Sequence, residues 1–308
     1  MLRSALLAAS RSAACRTLAE RAPMARPVVD RFVAGRDIDG ALAAVHGLTA
    51  NRYASLDHLG EDTTDRARAE ATVGTYRTLL SRLETDGLAD RVEVSVKLSA
   101  LGQALPADGD TIALDNAREV CAAAAAAGTT VTVDMEDHTT TDATLATVLE
   151  LRRDFPWVGA VLQAYLHRTE ADCVALSGPG SRVRLCKGAY DEPATVAYRE
   201  RSEVDASFVR CLKVLLHGQG YPMIATHDPV LLDIAGSLAG RAGRDADDHE
   251  YQMLYGIRPV TQTAMAAQGH RMRVYVPYGA EWYSYFMRRL GERPANVAFF
   301  LRSFTRKH

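Results

Sequence analysis

Short β-prone runs alternate with longer segments of helical period along most of the chain. The runs are YASLDHL (residues 53–59), VEVSVKLSAL (92–101), TVTVDMEDH (130–138), GAVLQAY (159–165), RVRLCKGAY (182–190), YPMIATHDP (221–229), HEYQMLYG (249–256) and RVYVPYG (273–279). Between them lie alanine-rich or amphipathic stretches such as TDRARAEATVGTYRTLLSRLE, NAREVCAAAAAAG and VDASFVRCLKVLLHGQG. A strand followed by a helix, repeated eight times, predicts a closed parallel (βα)8 barrel, an α/β fold. An open doubly wound sheet is the alternative, weakened because no GxGxxG follows any run. Gly128 and Gly220 sit just past two helical stretches, where a left-handed C-cap needs glycine. Before the first run, Leu2, Leu6, Ala9 and Ala13 form an apolar stripe, Arg26, Pro27 and Val28 break the helix, and Asp37 opens IDGALAAVHGL. The expected organisation is an N-terminal helical arm over residues 1–50 and a barrel over 51–308.

Composition narrows the functions available. The chain has 308 residues, 47% of them apolar, and a net charge of −2. With no basic run interleaved with aromatics, nucleic acid is not an expected partner. Five scattered cysteines without a CxxC spacing indicate reduced thiols and a cytoplasmic setting. No apolar run is long enough to span a bilayer, so membrane contact would be peripheral. Arg3, Arg11 and Arg16, with several serines and no acid before Glu20, also have the composition of a mitochondrial transit peptide. An ordinary amphipathic helix is the preferred reading of that segment.

Barrels of this kind react at the C-terminal ends of their strands. Those ends carry Lys97, Asp134, Glu136, Asp137, His138, Gln163, Arg184, Lys187, Thr226, His227, Asp228, Gln252 and Tyr275. Charged groups on apolar strands are costly unless paired or used. Individually, several have plain structural readings: Asp134 with Lys97 as a buried ion pair, His227 as a core histidine, Gln252 as a hydrogen bonder inside the barrel. Beyond the last run, EWYSYFMRRLGERPAN (281–296) places Tyr285, Arg288, Arg289 and Glu292 on one helical face. Paired guanidiniums beside aromatics suit capture of a small anion, although an exposed face with i,i+4 ion pairs has the same pattern. Two chemistries could use the strand ends. Asp134, Glu136, His138, His227 and Asp228 could ligate a divalent metal for hydrolysis or isomerisation. Alternatively, Lys187 beside the small Gly188 and Ala189, with Arg184, Gln163, Thr226 and His227, could hold a phosphate-bearing flavin. A binding barrel without catalysis is a third reading.

The motifs VSVKLSALG, VDMEDH, LQAYL, VRLCKGAY, ATHDP, YQMLYGI, VYVPYG and YFMRRLGERPAN, in this order, resemble the monofunctional bacterial proline dehydrogenases. Their catalytic domain is shared with the bifunctional proline-utilisation proteins. The resemblance runs from about residue 32 to the C-terminus and extends to the helical arm. It implies a distorted (βα)8 barrel with non-covalent FAD at the strand ends. The implied reaction oxidises L-proline to Δ1-pyrroline-5-carboxylate and passes electrons to a membrane quinone, with peripheral contact at the inner membrane. By motif, Arg288, Arg289 and Lys97 would hold the substrate carboxylate, and Tyr275, Tyr285 and Leu254 would wall its ring. Asp134 and Arg184 would be the polar catalytic groups, Arg184 near the flavin N5. Met135 (through its backbone), Gln163, Lys187, Gly188, Ala189, Thr226, His227 and Glu292 would line the FAD site. One position departs from many bifunctional members, which often carry an aromatic where this chain has Asp191.

Overall fold

In the computed structural model, residues 29–292 are described. Expectations for the first 28 residues and for 293–308 lie outside them, as does the side chain of Glu292. Eight strands close into one parallel barrel in chain order. They are β1 (Tyr53–His58), β2 (Val92–Val96), β3 (Val131–Val133), β4 (Gly159–Gln163), β5 (Arg182–Cys186), β6 (Tyr221–Ala225), β7 (Glu250–Leu254) and β8 (Met272–Tyr278). The interleaved helices are α1 (Ile38–Leu48), α2 (Arg66–Thr85), α3 (Gly109–Ala127), α4 (Thr141–Asp154), α5 (Thr169–Ala175), α6 (Arg201–His217), α7 (Pro229–Arg241), α8 (Pro259–Ala267) and α9 (Trp282–Glu292). Each strand stops short of the run that predicted it, because the polar cluster at its end turns into the following loop.

Side chains alternate across a strand, and here the alternation separates two chemistries. Leu56, Val92, Val94, Val96, Val131, Val133, Leu162, Leu185, Met253, Val274 and Val276 join one apolar core with the buried faces of the helices. The opposite positions, Ser55, Glu93, Ser95, Thr132, Arg184, Glu250, Gln252 and Arg273, are buried and polar. Hydrogen bonds such as Ser55 Oγ to Ser95 Oγ at 2.8 Å and Arg184 Nη2 to Ser95 Oγ at 3.1 Å link these positions inside the barrel. Most barrels of this type fill the interior with branched aliphatics. This one fills it with a hydrogen-bonded ionic network.

The helix α1 is capped by Asp37, whose carboxylate accepts from the Gly40 N–H at 2.9 Å. Its Ala41, Leu42, Val45 and Leu48 enter the same core as the strands. Gly128 caps α3 with φ +77°, as the sequence predicts. Gly220 does not cap α6: Gly218 does, in extended geometry. Gly220 is instead required by a close approach, since a Cβ there would come within 2.5 Å of the Ser181 carbonyl oxygen. A second, smaller apolar cluster joins Val29, Phe32, Val33 and Leu59 to Trp282, Tyr283, Tyr285, Phe286 and Met287. It seats α9 across the strand ends, near the start of the described chain.

Candidate active site

Lys97 follows β2 at an inward position, with its ammonium among acids from β1, the loop after β1 and the loop after β3. Its Nζ lies 2.6 Å from Asp57 Oδ2, 3.3 Å from Asp134 Oδ2 and 3.7 Å from Glu61 Oε1, and it donates to the Tyr275 phenol oxygen at 3.0 Å. The Tyr275 hydroxyl donates in turn to Asp134 Oδ2 at 2.6 Å. The other Asp134 oxygen accepts from Arg184 Nη1 at 2.6 Å. On the far side, Glu61 Oε1 takes a charge-assisted bond from Arg288 Nη2 at 2.5 Å. One unbroken chain, Arg288, Glu61, Lys97, Asp134 and Arg184, therefore spans the mouth from α9 to β5. The Arg288 guanidinium sits over the Tyr190 ring at 5.6 Å, the Arg289 guanidinium over Tyr285 at 5.1 Å, and the Arg184 guanidinium over Tyr275 at 5.2 Å.

Burial would deprotonate an isolated Lys97, but Asp57, Tyr275 and Asp134 outweigh it and raise its pKa well above the ordinary lysine value. Burial also works to raise the Glu61 carboxyl, yet Arg288 and Lys97 hold it at about 2. Lys97, Arg184 and Arg288 thus pair with Asp57, Glu61 and Asp134, and Arg184 with Glu93 as well. Arg289 lies beside Arg288, and the cationic groups gathered at the mouth suit one small carboxylate ligand.

Glu136 behaves differently. Burial, with Glu61 nearby, pushes it from the usual 4.5 to about 7, although Ser99 donates to it from Oγ at 2.6 Å and from its backbone N–H at 3.0 Å. Between pH 4.5 and 7 the folded protein holds this proton while the unfolded chain has released it, so stability falls as pH rises through that window. Glu136→Gln is expected to flatten that fall. Denaturant unfolding at pH 5 and pH 8 measures it, and a mutant-minus-wild-type difference that is the same at both values would contradict it.

The structure brings Lys97, Asp134, Arg184 and Tyr275 into direct contact, joins Arg288 to them through Glu61, and carries Tyr285 and Arg289 on the same helix as Arg288. Leu254 ends β7 half-exposed, and its N–H donates to His227 Nε2 at 2.9 Å. Met135 is buried, and Gln163 donates to the Glu136 carbonyl at 2.7 Å, fixing the loop after β3. Lys187 pairs with Asp205, and with Asp228 at 3.1 Å. Gly188 has φ +113° and passes directly over the Tyr165 ring, where a Cβ would clash. Ala189 follows it half-exposed, and Thr226 Oγ1 accepts from the Asp228 N–H at 3.2 Å. Asp191 is exposed, with Arg199 Nη1 3.5 Å away.

The proposed metal ligands do not converge. Asp134 serves Arg184 and Lys97, Glu136 serves Ser99, His138 contacts Glu192, His227 accepts from Leu254, and Asp228 binds Lys187 and Arg201. Among the described residues, no three His, Cys, Asp or Glu side chains come together as a metal site. The hydrolase or isomerase reading loses its support because each candidate ligand is drawn to a different partner.

Sequence reasoning missed Asp57, Glu61 and Tyr190 at the mouth, and Glu93, Glu250 and Arg273 below it. Asp57 was legible, since YASLDHL puts it on the pleat of Ser55. Glu61 lies in a loop and carries no periodic signal.

A closed parallel barrel with a buried ionic network and a cationic mouth defines an α/β-barrel enzyme for a small carboxylate-bearing substrate. Comparison with known proteins fixes which one: a family profile described as "Proline dehydrogenase" matches residues 41–302, and the chain belongs to that family. It is 40% identical over 275 residues to a proline dehydrogenase of Deinococcus radiodurans, covering 88% of each chain. It is 36% identical to proline dehydrogenase 1 of Bacillus subtilis, covering 90% of each. A similar solved structure is proline utilization A from Bdellovibrio bacteriovorus, inactivated by N-propargylglycine. It has TM-score 0.79 and 27% identity over 86% of this chain, which spans 32% of that longer one. The protein is an oxidoreductase of proline catabolism acting as a proline dehydrogenase. Among the described residues, no helix is long and apolar enough to cross a membrane.

Proposed function

We propose that the protein oxidises L-proline to Δ1-pyrroline-5-carboxylate on a non-covalently held FAD and delivers the electrons to a membrane quinone, without itself spanning the bilayer. We read residues 1–50 as an arm docked on the barrel through α1, and 51–308 as the catalytic barrel. The observation that carries this reading is the continuous chain from Arg288 to Arg184, which puts an anion clasp beside a fixed guanidinium.

The residues present fit the cofactor. The final residues of β5, β6 and β7, Cys186, Ala225 and Leu254, are half-exposed while the middles of these strands are buried. They form a low floor at the mouth. The backbone at Gly188 packs against the Tyr165 ring, an approach only glycine permits, which keeps this stretch free of side-chain bulk. Arg184, Gln163, Lys187, Thr226 and His227 supply the donors and acceptors around this floor, and Met135 contributes its backbone. These residues would hold FAD; when bound, it supplies two-electron acceptance from the substrate carbon beside nitrogen.

The chain's own residues supply orientation and proton handling. Arg288, Arg289 and Lys97 hold the substrate carboxylate, and fixing that distant group contributes mainly alignment of the reacting carbon. Glu61 also pairs with Arg288, so the substrate carboxylate meets a guanidinium already oriented by a resident acid. Tyr275, Tyr285 and Leu254 wall the ring and exclude water. The amine must be neutral when hydride leaves, and Asp134, anchored by Arg184 and Tyr275, is placed to accept its proton.

The purified protein is expected to be yellow, to lose its flavin absorbance on anaerobic addition of L-proline, and to recover it with a soluble quinone analogue. A colourless protein that turns over proline would refute the cofactor assignment, and bleaching without reoxidation by quinone would refute the acceptor.

A further inference from the structure

We propose that Glu93, at the level below the mouth, is a positioning residue for Arg184, setting the orientation and effective charge of that guanidinium. The inference rests on the reading of Arg184 as a cofactor-facing group.

Every edge of the Arg184 fork is engaged inside the barrel. Its Nε donates to Gln252 Oε1 at 2.6 Å, and Nη1 donates to Asp134 at 2.6 Å and Ser95 Oγ at 3.1 Å. Nη2 donates to Ser95 Oγ at 3.1 Å, Glu93 Oε1 at 3.3 Å and Ser55 Oγ at 3.4 Å. Two carboxylates, Asp134 and Glu93, touch the guanidinium. Asp134 is shared with Lys97 and Tyr275 and belongs to the reacting mouth, where substrate binding and proton transfer perturb it. Glu93 is 1% exposed and remote from that exchange.

Glu93 is itself immobile. Arg182 Nη2 approaches its Oε2 at 2.6 Å, Thr130 and Thr132 donate at 3.0 Å and 3.2 Å, and Arg273 Nε lies 3.8 Å from Oε1. The network closes through Arg273 to Glu250 at 2.7 Å and Glu250 to Gln252 at 2.5 Å, which returns to Arg184 Nε. Gln252 and Glu93 therefore fix the plane of the fork from two directions, on rigid strands rather than loops. Glu93 also offsets part of the positive potential that Arg184 sends to the mouth, in a setting where a nearby charge is weakly screened.

The test substitutes Glu93→Gln in the flavin-loaded full chain. The amide places a donor against either Arg182 or Arg184, both already donors, so the carboxylate's two-sided hold is lost. We expect kcat to fall about tenfold or more, since small misplacements of a catalytic group have effects of this order. KM for proline stays within about twofold, because the clasp of Arg288, Arg289 and Lys97 is untouched. The flavin midpoint potential moves positive as a buried negative charge is removed. Thr132→Val is the packing control: it loses one hydrogen bond to Glu93 without touching Arg184, and its potential and kcat stay at wild type. If E93Q alone does not fold, E93Q/R182M removes the donor clash and keeps the interior charge balanced; kcat still falls, now with a smaller potential shift. A kcat that tracks only the folded fraction, with the potential unchanged in E93Q, overturns the proposal; for the double variant, wild-type kcat per folded molecule does so. Arg184→Lys run in parallel separates the two readings. If it alters both kcat and potential while the Glu93 variants alter neither, the positioning role alone fails. If Arg184→Lys leaves both unchanged, the reading of Arg184 fails and takes this inference with it.

Discussion

Replacing Arg288 by alanine is expected to raise the KM for L-proline at least about 30-fold, while flavin content stays near that of the wild type. Breaking a buried, charge-assisted contact to a ligand carboxylate costs about 2 to 5 kcal/mol, and about 1.4 kcal/mol is a factor of ten. Among the described residues Arg288 pairs with Glu61 and lies over the Tyr190 ring, so its loss should leave the floor formed by β5, β6 and β7 in place. Arg289 lies one residue along the same helix and should compensate in part, giving the double variant a larger effect than either single one. Steady-state kinetics with the absorbance ratio of flavin to protein measures both quantities. Unchanged KM in both single variants would remove the carboxylate clasp from the account.

The second large effect is on the fold. Lys97→Met leaves Asp57, Glu61 and Asp134 facing one another without the ammonium they share; their side chains are 1%, 10% and 9% exposed. Removing one partner from a buried ionic cluster destabilises by about 3 to 5 kcal/mol. For a chain of this size that corresponds to a drop in Tm on the order of 10 °C. Proline oxidation should be lost as well. The deficit has a signature in pH. In the wild type, Glu61 is held at about 2 against the usual 4.5, so its contribution is complete above pH 4.5 and disappears as pH falls through 2. In the variant Arg288 still lowers Glu61, but Asp57, which burial already raises, loses the lysine that opposes that rise, so the penalty grows as pH rises through the carboxylate range. Thermal unfolding of both proteins at pH 5 and pH 8 should show the larger gap at pH 8. A gap of constant size would mean that Lys97 acts by packing alone.

Much of the architecture was legible in the chain. Alternation within each strand run, with helical period between runs, pointed to a parallel barrel over an open doubly wound sheet, because each apolar strand face needs a helix to cover it and eight such units can close on themselves. The same alternation placed Lys97, Asp134, Arg184 and Tyr275 at strand ends, and the i,i+3 and i,i+4 spacing grouped Tyr285 with Arg288 and Arg289. These are local periodicities, fixed by the rise and twist of the backbone. The partners were not legible. Tyr275 on β8 meets Lys97 across the closure of the barrel, Asp57 reaches it from the neighbouring strand, and Glu61 meets Arg288 from a loop more than two hundred residues away in sequence, so no spacing rule connects them. The metal reading arose for the same reason: Asp134, Glu136, His138, His227 and Asp228 form a plausible ligand list along the chain, but three-dimensional packing gave each a different partner. Residue types and backbone period determined the barrel and which groups reach its mouth. Only closure of the sheet decided which opposite charges touch, since pairing energy depends on distance in space and burial sets how strongly it is felt.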